Sequence, residues 1–302
     1  MTSPRCWILV TLLAAACTRG EQARQPAAAA ALTLDATAGF KTPESVLYDQ
    51  AADVYLVSNI NGAPTDKDDN GFISRVSPTG EVLALTWIDG ASPDVTLNAP
   101  KGSAIRGDTL FVADIDVVRL FDRRNGAALG AWPVPGATFL NDMAVGPDGT
   151  LYVTDSGLKA GANGFEDTGS DAVYRFDGAR PVAIATGKDL GRPNGVFGDS
   201  AGVVVVTFGT GAVYRLDPAT GARTDLPQPP QGALDGVFEG RDGALVVSSW
   251  TGHTVYQLTA AGTYEAVTDS ITSPADIGYD RGRNALLIPD FTTDRVLIRP
   301  LK

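Results

Sequence analysis

The chain reads as an all-β, six-bladed propeller in which an N-terminal strand completes the last blade. Three observations predict this. Short β-rich runs bounded by Gly, Asp, Asn or Pro replace any sustained helical periodicity. Six of those runs share one shape and recur with a common period, and the final unit stops one strand short.

The first element is an address. Residues 1–16 carry a basic start, an apolar run and a small-residue exit, the pattern of a secretory signal and too short for a membrane span. Ala14-Ala15-Ala16-Cys17 resembles a bacterial lipobox, so a lipid on Cys17 is the expected membrane link, and the expected location is the periplasm or the outer membrane. Cleavage by an ordinary signal peptidase is the alternative. Residues 17–30 have no core-forming pattern and read as a tether, leaving 31–302 as the propeller. Cys6 and Cys17 are the only cysteines, so the exported domain has no internal disulfide.

The repeated runs are VYLVSN, TLFVAD, TLYVTD, VVVVTF, ALVVSS and ALLIPD, ending at Asn59, Asp114, Asp155, Phe208, Ser249 and Asp290. Their separations are 55, 41, 53, 41 and 41, a 41-residue period with insertions of 14 and 12. Each unit reads as four strands, A to D. In the fourth they are GVFGDS, GVVVVTF, AVYRLD and ARTDLPQ, with turn chemistry such as Asp217-Pro218-Ala219-Thr220-Gly221 between them. A small twisted sheet of this length buries both faces only against two neighbours, which makes each unit a propeller blade. The last unit ends after RVLIRPLK, and LTLDATA near residue 32 is the expected substitute for its missing strand D.

Strand A of a propeller lines the central channel. Its start carries Pro43-Glu44, Pro100-Lys101-Gly102, Leu140-Asn141-Asp142, Pro193-Asn194-Gly195, Leu234-Asp235-Gly236 and Pro274-Ala275-Asp276 in successive units. Five of six blades thus aim an oxygen-bearing side chain at one axis. Two carboxylates (Glu44, Asp235) and two amides (Asn141, Asn194) suit a hard cation, Ca2+ ahead of Mg2+ or another divalent ion. Asn-Gly and Asp-Gly also form turns, but separate A–B turns (Gly146-Pro147-Asp148-Gly149, Gly240-Arg241-Asp242-Gly243) already serve that purpose. Asp142 and Asp276 are candidates for a supporting layer or a second metal. The insertions fall in B–C hairpins and in the loop DGASPDVTLNAP, on the face where strand A begins, as a lid, a specificity rim or passive surface.

At these residues the chain resembles the senescence-marker-protein/gluconolactonase family of six-bladed propellers, whose relatives include paraoxonases and diisopropylfluorophosphatase. The carriers are PES around Glu44, LNDMAVGPDGTLYVTDS around Asn141, RPNGV around Asn194 and LDGVF around Asp235. The resemblance implies a calcium quartet of Glu44, Asn141, Asn194 and Asp235, with calcium-dependent hydrolysis of lactones or related esters and Asp235 as the catalytic carboxylate. Asn98-Ala99-Pro100-Lys101-Gly102 stands where sugar-lactonase members carry Arg-x-Asn-Asp-Gly, which leaves an aldonolactone substrate open to question. Paraoxonases use a histidine pair, but His253 is the only histidine here. For the second calcium of that branch, Asp142 matches one ligand while Ser45 replaces a carboxylate.

The expected chemistry has the cation polarise a carbonyl, Asp235 act as base or nucleophile, Lys101 steady the oxyanion or product carboxylate, and His253 shuttle a proton. Asp114, Asp155 and Asp290 are expected to serve blade hydrogen bonding instead. Asp66-Lys67-Asp68-Asp69-Asn70-Gly71 fits the opening of a calcium loop, but Ser77 stands at its twelfth position and no helices flank it, so it reads as a solvated acidic hairpin with a peripheral calcium site as the alternative. Two other functions stay open: a non-catalytic binding module and a phosphotriester hydrolase. A formal charge of −11 argues against nucleic-acid binding and against attraction to anionic lipid.

Overall fold

A computed structural model describes Met1 and residues 29–301. The signal segment, Cys17 and most of the tether lie outside the described residues. Within them the strands form six four-stranded sheets and one added two-stranded hairpin. Every sheet pairs its strands antiparallel in chain order except the last, where the strand Leu32–Leu34 pairs with Arg295–Pro300. The ring therefore closes by strand exchange between its ends, with Leu34 opposite Val296. The exchanged strand is shorter than LTLDATA: Asp35 caps a 3-10 turn over Ala36–Ala38 by accepting the Thr37 N–H at 2.9 Å, which ends the ladder.

Burial explains the sequence pattern. Strand B lies inside each blade and packs on both faces, so Gly202–Thr207 and Ala285–Asp290 are buried throughout. Outer strands such as Ala128–Pro133 are almost entirely exposed. The main core divides into six apolar clusters, each between two neighbouring blades. The closing cluster joins Leu34, Phe40, Val46 and Tyr55 to Leu287 and Ile298. Placing a charge there, as in Leu34→Asp, is expected to cost about 3 kcal/mol. Urea unfolding would show it as a lowered midpoint with an unchanged slope.

One register differs from the sequence reading. Strand A of blade four, Pro193–Asp199, pairs its first residue with Thr207, just as Leu234 pairs with Ser249 and Leu140 with Asp155. The end of the fourth repeated run is therefore Thr207. Phe208 is the first residue beyond it, an aromatic side chain that the β pattern absorbs into the strand.

Candidate metal centre and active site

The inner strands of blades one to five begin with the same irregularity. Their ladders slip between Pro43 and Ser45, Pro100 and Ser103, Leu140 and Met143, Pro193 and Val196, and Leu234 and Val237. A bulge releases a residue from the ladder and re-aims its side chain. The second residue of each strand is Glu44, Lys101, Asn141, Asn194 or Asp235, and all five line one cavity of about 310 Å³. Each is at most 5% exposed.

The loops leading into these strands are pinned from behind. Asp114 accepts the Asn98 and Ala99 N–H groups, Asp155 those of Thr138 and Phe139, and Asp290 that of Ser273. These are the blade hydrogen bonds expected of the three aspartates. Neighbouring blades are tied by hydroxyls: Thr154 donates to the Asn194 carbonyl at 2.5 Å, and Ser156 to that of Pro193 at 2.6 Å. The glycine after a cavity residue answers to close approach rather than to a turn. A Cβ on Gly195 would stand 2.2 Å from the Asp235 carbonyl oxygen, and one on Gly236 2.3 Å from the Ile277 nitrogen.

The hydrogen bonds orient the polar set. Ser156 spends its proton on Pro193, so it accepts from Asn141 Nδ2 at 3.1 Å, and Asn141 Oδ1 is left without a partner. Asp235 Oδ2 accepts the Trp250 indole N–H at 2.7 Å, leaving Oδ1 unmatched. Glu44 Oε2 and Asn194 Oδ1 are likewise buried without a hydrogen-bond partner. Four blades thus each bring one orphaned oxygen to the same cavity. Buried acceptors of this kind are costly unless something positive meets them, and an all-oxygen set with two carboxylates fits a hard divalent cation. Among the described residues no group of three or more His, Cys, Asp or Glu side chains is placed to hold a metal; half of this set is amide.

Electrostatics point the same way. Burial, then the charge of Asp235, holds the Glu44 carboxyl well above the usual range, with Lys101 opposing. Burial and the nearby Asp276 raise Asp235 in turn, against the Trp250 hydrogen bond. The Lys101 ammonium donates to the carbonyls of Pro64 (3.0 Å) and Ala99 (3.1 Å) and lies 4.5 Å from the centre of the Phe139 ring. Burial brings its pKa down to about 8, with Glu44 and Asp114 resisting.

Other candidates fall elsewhere. Asp142 and Asp276 line a second cavity of about 290 Å³, farther along the inner strands and beside Ser45. Both Asp142 oxygens accept backbone N–H groups, from Met143 at 2.6 Å and Val196 at 2.7 Å, which fastens blade three to blade four. Asp276 misses the first cavity because Pro274 is bridged to Asp290 as Leu140 is paired with Asp155, so Ala275 takes the cavity position and Asp276 takes that of Asp142. The Asp276 N–H bonds to the Glu44 carbonyl at 2.9 Å. Burial pushes its carboxyl up to about 7. His253 is exposed and does not line the cavity; its Nδ1 faces the Thr272 carbonyl at 2.8 Å. In the acidic hairpin Asn70 donates to Asp68 at 2.6 Å, and Lys67 pairs with Asp116.

Sequence reasoning missed the walls. The residue following strand B supplies Ile60, Ser156, Phe208, Trp250 and Phe291 to the cavity. These occupy one position of the repeat, and aligning the units one residue past each strand B would have shown them. The insertion in blade three folds as the hairpin Leu158–Gly161 and Gly164–Asp167, and both Leu158 and Phe165 line the same cavity.

No family model and no curated protein matches the chain. Solved structures do. A gluconolactonase from Xanthomonas campestris is 20% identical, with 90% of each chain covered and a TM-score of 0.67. The calcium-binding protein regucalcin from Agrobacterium tumefaciens is 14% identical over 91% of this chain and 96% of its own, with a TM-score of 0.62. Virginiamycin B lyase from Staphylococcus aureus is 14% identical over 89% and 98%, with a TM-score of 0.56. The chain shares its propeller fold with the gluconolactonase and with regucalcin. Fold alone does not choose among their chemistries.

Proposed function

We propose that this propeller is an exported hydrolase of lactones or related esters that depends on a divalent cation, Ca2+ before Mg2+. The observation that carries the reading is the set of four buried, partnerless oxygens, one from each of four blades. The fold shared with a gluconolactonase and a calcium-binding regucalcin supports it, and so does the signal-like start with Cys17 as a lipid site.

Glu44, Asn141, Asn194 and Asp235 would hold the ion, which supplies charge neutralisation and polarises a substrate carbonyl. The protein's own groups do the rest. Trp250 fixes one Asp235 oxygen, so the other faces the cavity. There it takes a proton from the water that adds to the carbonyl carbon and returns it to the alkoxide as the acyl C–O bond breaks. Alternatively it adds to that carbon itself, the alkoxide leaving with a proton from water and a second water cleaving the acyl–Asp235 bond. Two backbone carbonyls hold the Lys101 ammonium, leaving one N–H for the oxygen that gains charge or for the product carboxylate. The apolar walls keep bulk water from competing for these contacts.

A second reading follows from Lys101 itself. A buried ammonium in the same cavity partly neutralises Glu44, which is what a cation-free binding module would need. One experiment separates the two. A hundredfold excess of Ca2+ over its Kd is expected to raise Tm by about 5–10 °C, and hydrolysis of a lactone and aryl-ester panel should vanish with chelator. Folding indifferent to Ca2+ with no turnover supports the binding module, whereas cleavage of phosphotriesters alone shifts the substrate class.

A further inference from the structure

The cavity has a polar floor and an apolar surround. On its floor four oxygens face the cation position, Ser156 both donates and accepts, the Trp250 N–H is spent on Asp235, and Lys101 retains one N–H. Three successive blades contribute an aromatic row, Phe208, Trp250 and Phe291, with ring centres 5.4 and 5.2 Å apart. In blade three the inserted hairpin sets Phe165 edge-on to Phe139 at 5.7 Å, and both rings line the same cavity. That hairpin is held in place. Asp167 at its end pairs with Arg192 of the next blade at 2.7 Å, and the Thr168 N–H bonds to the Gly157 carbonyl at 2.8 Å. Phe165 is nevertheless 49% exposed, one of few large apolar side chains left uncovered.

We infer that the inserted hairpin, through Phe165, is a specificity element that selects substrates whose non-reacting part is apolar, an alkyl- or aryl-substituted lactone or ester. This deepens the lactonase reading and rests on it. A polyhydroxylated ring would bury several hydroxyls against aromatic walls that offer them no hydrogen-bond partner, and each unmet hydroxyl costs about tenfold or more in binding. An apolar substituent meets the aromatic row and Phe165, and covers the exposed ring.

The test compares γ-nonalactone and γ-phenyl-γ-butyrolactone with glucono-δ-lactone on the calcium-loaded protein. Kinetics and calorimetric binding of the three compounds are both read. The apolar lactones are expected to exceed the polyol by at least about 100-fold in kcat/KM. Equal or better use of glucono-δ-lactone overturns the inference while leaving the lactonase reading intact. If none is hydrolysed, the lactonase reading fails and the binding data decide: tighter apolar binding supports the wall's role, and equal or tighter polyol binding overturns it. Phe165→Ser should raise KM, or Kd, for the apolar compounds about tenfold, with the Ca2+-induced shift in Tm retained. An unchanged value would remove the hairpin from the account.

Discussion

Asp235→Asn is expected to lose about 10³-fold in kcat toward whichever lactone the native protein turns over best, and to bind Ca2+ about 100-fold more weakly. The reason is hydrogen-bond polarity. One oxygen of Asp235 must accept from Trp250 while the other stays open to the cavity. An amide has a single acceptor oxygen. If it serves Trp250, an NH2 group points at the cation position; if it faces the cavity, two N–H groups collide at Trp250. Stability should move the other way. Burial and Asp276 raise the Asp235 pKa in the folded state, so the group costs stability wherever the unfolded chain has ionised it, from about pH 4 upward. Metal-free Asp235→Asn should therefore match or exceed the native protein at pH 7, with the difference vanishing toward pH 4. Urea titrations at the two pH values check this, and a variant that is simply unfolded would reveal itself there.

Gly195→Ala is expected to be among the most damaging small substitutions. Its new Cβ would meet the Asp235 carbonyl oxygen at 2.2 Å and a methyl of Val206 at 2.8 Å. The first obstacle is the backbone of the next blade, which cannot rotate away as a flexible side chain would. Relief requires blades four and five to part, at about 3–5 kcal/mol and a fall in Tm of about 10 °C. Since Asn194 and Asp235 sit on either side of the gap, Ca2+ affinity should fall as well. Gly62→Ala is the control: the nearest atom to its Cβ would be at 3.5 Å, and a change within about 0.5 kcal/mol is expected. Differential scanning calorimetry of the two variants makes the comparison.

Much of this was legible because a repeat imposes the same geometry on every unit. Once six units close a ring, a residue at a given offset must face the axis, so Glu44, Asn141, Asn194 and Asp235 were readable as a group before any contact was known. Strand exchange was readable from the missing last strand. What escaped depended on details that period alone does not carry. The slip at each strand start is a backbone irregularity with no residue signature beyond the Pro or Leu ahead of it. Phe208 looked like one more strand residue, which hid the aromatic row. Counted along the chain Asp276 falls at the ligands' offset, but the bridge from Pro274 to Asp290 gives that place to Ala275 and sets Asp276 one residue further, in the cavity of Asp142 and Ser45. His253 follows a strand on the expected face, yet it is exposed and turned to the Thr272 carbonyl.

Diffraction from crystals grown in millimolar Ca2+ would locate the cation among the four blades. One ion is expected within roughly 2.3–2.6 Å of Glu44 Oε2, Asn141 Oδ1, Asn194 Oδ1 and Asp235 Oδ1. Density absent from that position, or Asn side chains presenting their NH2 groups to it, would contradict the account.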